Sequence, residues 1–146
     1  MECVFGKILE SEMILNEWGM IADAFWREIP HHFSGCSLDS FIVMPDHMHG
    51  IIIIEDYFKH SLYGTGMPVP YSPKEKCRPS IPIIIGSYKS ASSKRIHQAG
   101  YPEFKWHKSY YDRIIRDEDE FRRIRKYIAE NPIRKAAGSG ENDALL

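Results

Sequence analysis

The sequence predicts an α+β sandwich in which helices cover one face of a largely antiparallel sheet. Three observations point there. Periodic segments follow one another in the order β, α, β, β, α, β, α. Two apolar runs flank the turn signal Pro45-Asp46, as in an antiparallel hairpin. The chain of 146 residues, 43% hydrophobic and 12% aromatic, has the size and composition of one globular domain. Apolar runs such as Ile51–Ile54 fall far short of the ~20 residues of a membrane span, so no membrane partner is expected. Residues Met1–Lys7 lack the basic-then-apolar layout of a secretory signal. Cys3, Cys36 and Cys77 have no CxxC spacing. A cytoplasmic location with reduced thiols is the expectation.

Taken in order, Cys3–Ile8 reads as a short strand, and Met13–Asn16 either continues it or pairs with it. Glu17–His32 reads as a helix with Ile21, Ala22, Phe25, Trp26 and Ile29 on its buried side and Pro30 near its end. Leu38–Met44 and His47–Glu55 read as paired strands. Ile51–Ile54 is apolar on both faces, which predicts cover on both sides, by helices or by helices and a ligand site. Residues 56–80, rich in Gly, Pro and Tyr, read as a long functional or disordered loop. Ile81–Ala99 reads as a helix, with Pro82 in its first turn and Ile84, Ile85, Tyr88, Ala91 and Ile96 buried. Phe104–Ile115 reads as an extended segment or strand. Asp117 or a neighbour caps a last helix, Asp119–Asn131, whose acidic start and basic continuation suit the helix dipole; Pro132 closes it. The domain spans 1–135, and 136–146 reads as a flexible tail.

The net charge of −1 hides a partition. Residues 1–73 carry 3 basic and 10 acidic side chains, whereas residues 74–135 carry 16 basic and 8 acidic. A basic second half suits a polyanionic partner, although a dipolar surface on an ordinary protein has the same composition.

The sharpest local feature is His47-Met48-His49. On a strand, residues two apart share a face, so the imidazoles project together while Met48 enters the core. Two such imidazoles can bind one divalent metal; with seven histidines in the chain, chance pairing is the alternative. On the last helix Tyr127 and Asn131 are four apart and share a face with Ile124 and Ile128 beside it, so that face looks at the sheet. If the histidines face it, two imidazoles and an amide oxygen can hold a metal with a phenol alongside. The plainer alternatives are a buried tyrosine and an asparagine capping the helix end. A metal polarises a phosphodiester, and a tyrosine oxygen can attack phosphorus with such help, since its ordinary pKa is ~10. Trp106, His107, Tyr110 and Tyr111 among Lys105, Lys108 and Arg113 have the make-up of a stacking and phosphate-binding surface, with Arg116 added to the DNA-binding set, or of half-buried aromatics on a strand. Lys89, Lys94 and Arg95 decorate the preceding helix and join the candidate DNA-binding set.

These residues resemble a known family. Met44-Pro45-Asp46-His47-Met48-His49-Gly50 is similar to the histidine–hydrophobic–histidine (HUH) motif of IS200-like transposases, and Tyr127-Ile128-x-x-Asn131-Pro132 to their single-tyrosine helix. The REP-associated tyrosine transposase branch is the nearer likeness. Leu15-Asn16-Glu17-Trp18-Gly19, Gly64–Pro68 and Trp106–Arg116 support it, and the resemblance runs from about residue 3 to 135. It implies a ferredoxin-like core and a metal-dependent nuclease acting on single-stranded DNA, often beside a hairpin. His47, His49 and Asn131 would bind Mg²⁺ or Mn²⁺. Tyr127 would attack the phosphate and retain the 5′ end. Members usually carry a further strand before the segment matching Cys3–Ile8, so a first strand is apparently missing here. A catalytically silent hairpin-binding relic and a water-using phosphodiesterase are the competing readings; monomer and homodimer are both open.

Overall fold

In the computed structural model, residues 3–55 and 79–138 are described. Nearly all of the expected long loop, the Gly64–Pro68 stretch and the end of the tail lie outside them. Strands β1 (Gly6–Leu9) and β2 (Glu12–Leu15) form an antiparallel hairpin, pairing Gly6 with Leu15 and Leu9 with Glu12. This settles the open alternative at Met13 in favour of pairing. Glu10 and Ser11 make the turn with φ of 49° and 66°. Positive φ at both positions matches the twist of two-residue hairpins.

Asn16 then caps helix α1 (Glu17–Arg27). Its side-chain oxygen accepts from the Gly19 N–H at 2.9 Å, and its amide donates to the Val4 carbonyl at 2.7 Å. Gly19 lies against the Phe5 carbonyl, where an added Cβ would come within 2.1 Å. The helix ends at Arg27 rather than at His32. Ile29–His32 forms a separate turn, α2, because Pro30 donates no hydrogen bond and its ring crowds the carbonyl four residues back.

Strands β3 (Cys36–Val43) and β4 (Met48–Ile54) pair antiparallel around the tight Pro45-Asp46 turn, closed by the Met44 N–H to the His47 carbonyl at 2.7 Å. Leu38 pairs with Ile52 and Phe41 with Gly50, so β3 carries one extra residue between them. That bulge keeps Leu38 and Phe41 on the core side although they are three apart. The Phe5 N–H donates to the Pro45 carbonyl at 2.8 Å and ties the first hairpin to the second.

Helix α3 (Ile81–Gln98) buries Ile84, Ile85, Tyr88, Ser92 and Ile96. Ala91 is exposed, and Ser92 takes the inner position. The Tyr88 hydroxyl donates to the Ala22 carbonyl at 2.9 Å and lies 3.2 Å from the Met48 sulfur. Gly50 faces the Trp26 ring, which an added Cβ would approach to 2.5 Å. Met48 and Gly50 therefore face α1 and α3.

The opposite face of the hairpin receives helix α4 (Glu118–Ala136), capped by Asp117, whose carboxylate accepts from the Glu120 N–H at 2.7 Å. Arg125 of α4 pairs with Asp39 of β3 at 2.8 Å. Helices thus cover both faces of β3–β4, not one. The apolar run Ile51–Ile54 is itself covered only in part, since Ile53 is 38% exposed. Nor does Pro132 close α4, which runs on to Ala136. Pro132 forfeits the hydrogen bond to the Ile128 carbonyl, but Ile128, Asn131 and Pro132 are all buried, and burial outweighs the loss.

Residues 101–116 contain no regular strand among the described residues. Side chains of α3 take up their polar groups instead: Lys89 donates to the His107 carbonyl at 2.8 Å, the Trp106 indole donates to Ser92 Oγ at 3.0 Å, and His97 donates to the Phe104 carbonyl at 2.8 Å. The α+β class holds, with two separate two-stranded antiparallel sheets among the described residues. No helix among them is long and apolar enough to cross a membrane.

Candidate active site

The alternation of β4 carries Met48 into the core and turns His47 and His49 the other way. Their Nε2 atoms stand 3.0 Å apart, with ring centroids 4.7 Å apart and planes nearly perpendicular. His49 is almost fully buried, whereas the His47 side chain is 37% exposed. Burial, and secondarily the neighbouring His47, pushes the His49 imidazole down to about 4. His49 is therefore neutral at physiological pH, the form that ligates metals.

Behind His47, Nδ1 lies 2.7 Å from Asp46 Oδ1. The same oxygen accepts from Lys135 Nζ of α4 at 3.0 Å. Burial alone would raise the Asp46 carboxyl, but the hydrogen bonds from His47 and Lys135 outweigh it and hold the group below the usual carboxylate range. An ionised carboxylate only accepts, so His47 Nδ1 carries a proton and donates it to Asp46, which turns Nε2 toward His49. His49 Nδ1 is buried without a partner among the described residues, so the Nε2–Nε2 hydrogen bond to His47 is the contact that bears on its tautomer.

Helix α4 brings the phenol. The Tyr127 and His49 rings meet edge to face, with centroids 5.6 Å apart. Asn131 lies one turn further on, buried in mid-helix. The capping role is thereby excluded, since the C-cap is Ala137. The face shared by Tyr127, Ile128 and Asn131 packs toward the sheet, as their spacing predicts.

The two ring nitrogens lie 3.0 Å apart, within hydrogen-bonding distance of one another, and imidazole nitrogens have the donor chemistry to hold one divalent cation.

The candidate DNA-binding residues divide. Lys94, Arg95, Lys105, Lys108 and Arg116 are exposed. Lys89 is committed to the His107 carbonyl and stands over the Tyr110 ring, and burial lowers its pKa. Trp106 packs among Phe5, Tyr88 and Phe104, so its ring belongs to the core rather than to a stacking surface. Arg113 lies against the buried Glu120 carboxylate. It borders a shallow groove of about 380 Å³ that also includes Arg123, Ile124, Lys126, Tyr127 and Arg134. The Arg134 guanidinium sits 5.5 Å from the centre of the Tyr127 ring. Sequence reasoning missed Arg123, Lys126 and Arg134. The signal was available, because Arg123 and Arg134 stand four before and seven after Tyr127, on the same side of the helix.

The chain matches no family model and no solved structure. It is 32% identical, over 133 residues, to a protein of Haemophilus influenzae described as uncharacterized; the match covers 90% of this chain and 74% of that protein. The chain belongs to the same family as this Haemophilus influenzae protein.

Proposed function

We propose that this chain is a metal-dependent endonuclease of single-stranded DNA, of the IS200-like, REP-associated tyrosine transposase kind. The observation that carries the reading is the convergence of two imidazole nitrogens 3.0 Å apart with a phenol ring packed on one of them. His47, His49 and the Asn131 amide oxygen would hold Mg²⁺ or Mn²⁺. When bound, the ion would polarise the phosphodiester and offset its charge. Tyr127 oxygen attacks phosphorus, a P–O bond to tyrosine forms, and the bond to the 3′ oxygen breaks. The phenol proton passes to solvent, and the departing 3′ oxygen takes one up. The 5′ end stays on Tyr127, and the free 3′ hydroxyl can later reverse the step. Arg113, Arg123, Lys126 and Arg134 supply positive charge along the groove where a phosphate backbone would lie.

The test is incubation with hairpin-containing single-stranded DNA and Mn²⁺, followed by denaturing electrophoresis. A protein–DNA band should form, vanish with chelator, and be lost in Tyr127→Phe while hairpin binding persists. Cleavage surviving in Tyr127→Phe would instead identify water as the nucleophile. Binding by the wild-type chain without any adduct would leave only the silent relic.

A further inference from the structure

We propose that Lys135 is a positioning residue for the histidine pair, acting through Asp46 to hold the His47 Nε2 lone pair toward His49. The inference rests on reading that pair as a cation site. Lys135 Nζ and His47 Nδ1 converge on one carboxylate oxygen, at 3.0 and 2.7 Å, and His47 Nε2 then lies 3.0 Å from His49 Nε2. The order along this chain is ammonium, carboxylate, imidazole, imidazole. Asp46 belongs to a two-residue turn, where a carboxylate held by one neighbour alone keeps rotational freedom. The ammonium reaches it from another element, 89 positions away in sequence. Two anchors on one oxygen fix the carboxylate, and the carboxylate fixes both the tautomer and the plane of the His47 ring.

The placement of Lys135 follows from the length of α4. Tyr127, Asn131 and Lys135 are spaced by four and share one helix face over about 12 Å. Phenol, amide and ammonium thus stand in a row beside the hairpin turn. A helix stopped by Pro132 would present the first two and lose the third. The passage of α4 beyond Pro132 is what brings Lys135 to Asp46.

A lysine near a cation site also repels the ion directly. That effect and the positioning effect have opposite signs, which makes the proposal decidable. The experiment compares the wild-type chain with Lys135→Met, Lys135→Arg, Asp46→Asn and the Asp46→Asn/Lys135→Met pair. Imidazole nitrogen NMR in slightly alkaline, metal-free buffer reads the His47 tautomer, and titration with Mn²⁺ reads cation affinity. Expected is one Nδ1–H tautomer for His47 in the wild type and a mixture in Lys135→Met. Mn²⁺ affinity should fall about tenfold in Lys135→Met, recover in Lys135→Arg, and show no further loss when Lys135→Met is added to Asp46→Asn. The Lys135 side chain is 44% exposed, and Asp46, at 16%, is replaced by an amide of the same shape, so these variants are expected to fold, as circular dichroism checks. An unchanged His47 tautomer with unchanged or tighter Mn²⁺ binding in Lys135→Met overturns the proposal. A wild-type chain that binds no Mn²⁺ would instead remove the cation reading, and the tautomer measurement would still decide the role of Lys135.

Discussion

Protonating His49 works against the fold. Its imidazole is held to about 4 in the folded chain, while an unfolded histidine titrates near ~6.5. Between those values the unfolded state binds the extra proton, so stability rises with pH there. In chelator-treated protein this contribution should be complete above about pH 6.5 and disappear as pH falls toward 4, an overall change of about 3 kcal/mol. Urea midpoints measured across that range should show the slope, and His49→Gln should flatten it. The same residue shows what a sequence can disclose. The two-residue period of a strand was enough to put His47 and His49 on one face, and the four-residue spacing of a helix was enough to pair Tyr127 with Asn131. Nothing local marks Lys135 as a partner of Asp46, because that contact exists only after α4 has docked.

At the scale of elements, local rules succeeded where one interaction dominates and failed where two compete. Asp117 and Asn16 cap their helices because a side-chain oxygen satisfies amides that have no other partner. Pro30 interrupts a helix and Pro132 does not, although both are prolines near an expected helix end. The difference is that Pro132 sits in a run of buried residues on the docked face of α4. The first hairpin carries a correctable strain. Ser11 adopts a φ of 66°, which costs a residue with a Cβ about 1 kcal/mol relative to glycine. Ser11→Gly should therefore raise stability by about 1 kcal/mol, read as a higher thermal midpoint, without changing the pairing of β1 with β2. The expected strand at 104–115 failed for a related reason. The Phe104 and His107 carbonyls and the Trp106 indole are taken by His97, Lys89 and Ser92 of α3, which hold the start of the segment against a helix rather than a sheet edge.

Across the whole molecule, the order of elements alone argued for one covered face, and the apolar run Ile51–Ile54 argued for two. Helices meet both faces at the turn end of β4, where Tyr88 touches Met48 and Tyr127 touches His49, but Ile53 is 38% exposed, so the run is covered only in part. The charge partition likewise acquires a location. Arg113, Arg123, Lys126 and Arg134 border the groove at Tyr127, and Glu120 is the acid among them. If that groove carries a nucleic-acid backbone, binding to single-stranded hairpins must release counterions. Arg123→Gln should weaken binding alike for different sequences and lower the slope of log affinity against log salt by about 0.7 for the phosphate contact removed. Arg122→Gln, which removes a charge outside the groove and paired with Glu118, is the control and should leave the slope unchanged.

The lopsided burial of the two imidazoles gives the pair a direction. Whatever arrives from bulk water meets the ring of His47 first, because the ring of His49 is roofed by tyrosine and helix. An incoming ion would thus shed its hydration stepwise, trading one water for the outer nitrogen before the inner one comes within reach. An acylating reagent would discriminate in the same way, marking the outer ring and sparing the inner. Were the pair to hold a cation, entry and exit would be a sequence of unequal events, with the outer ring first on arrival and last on departure.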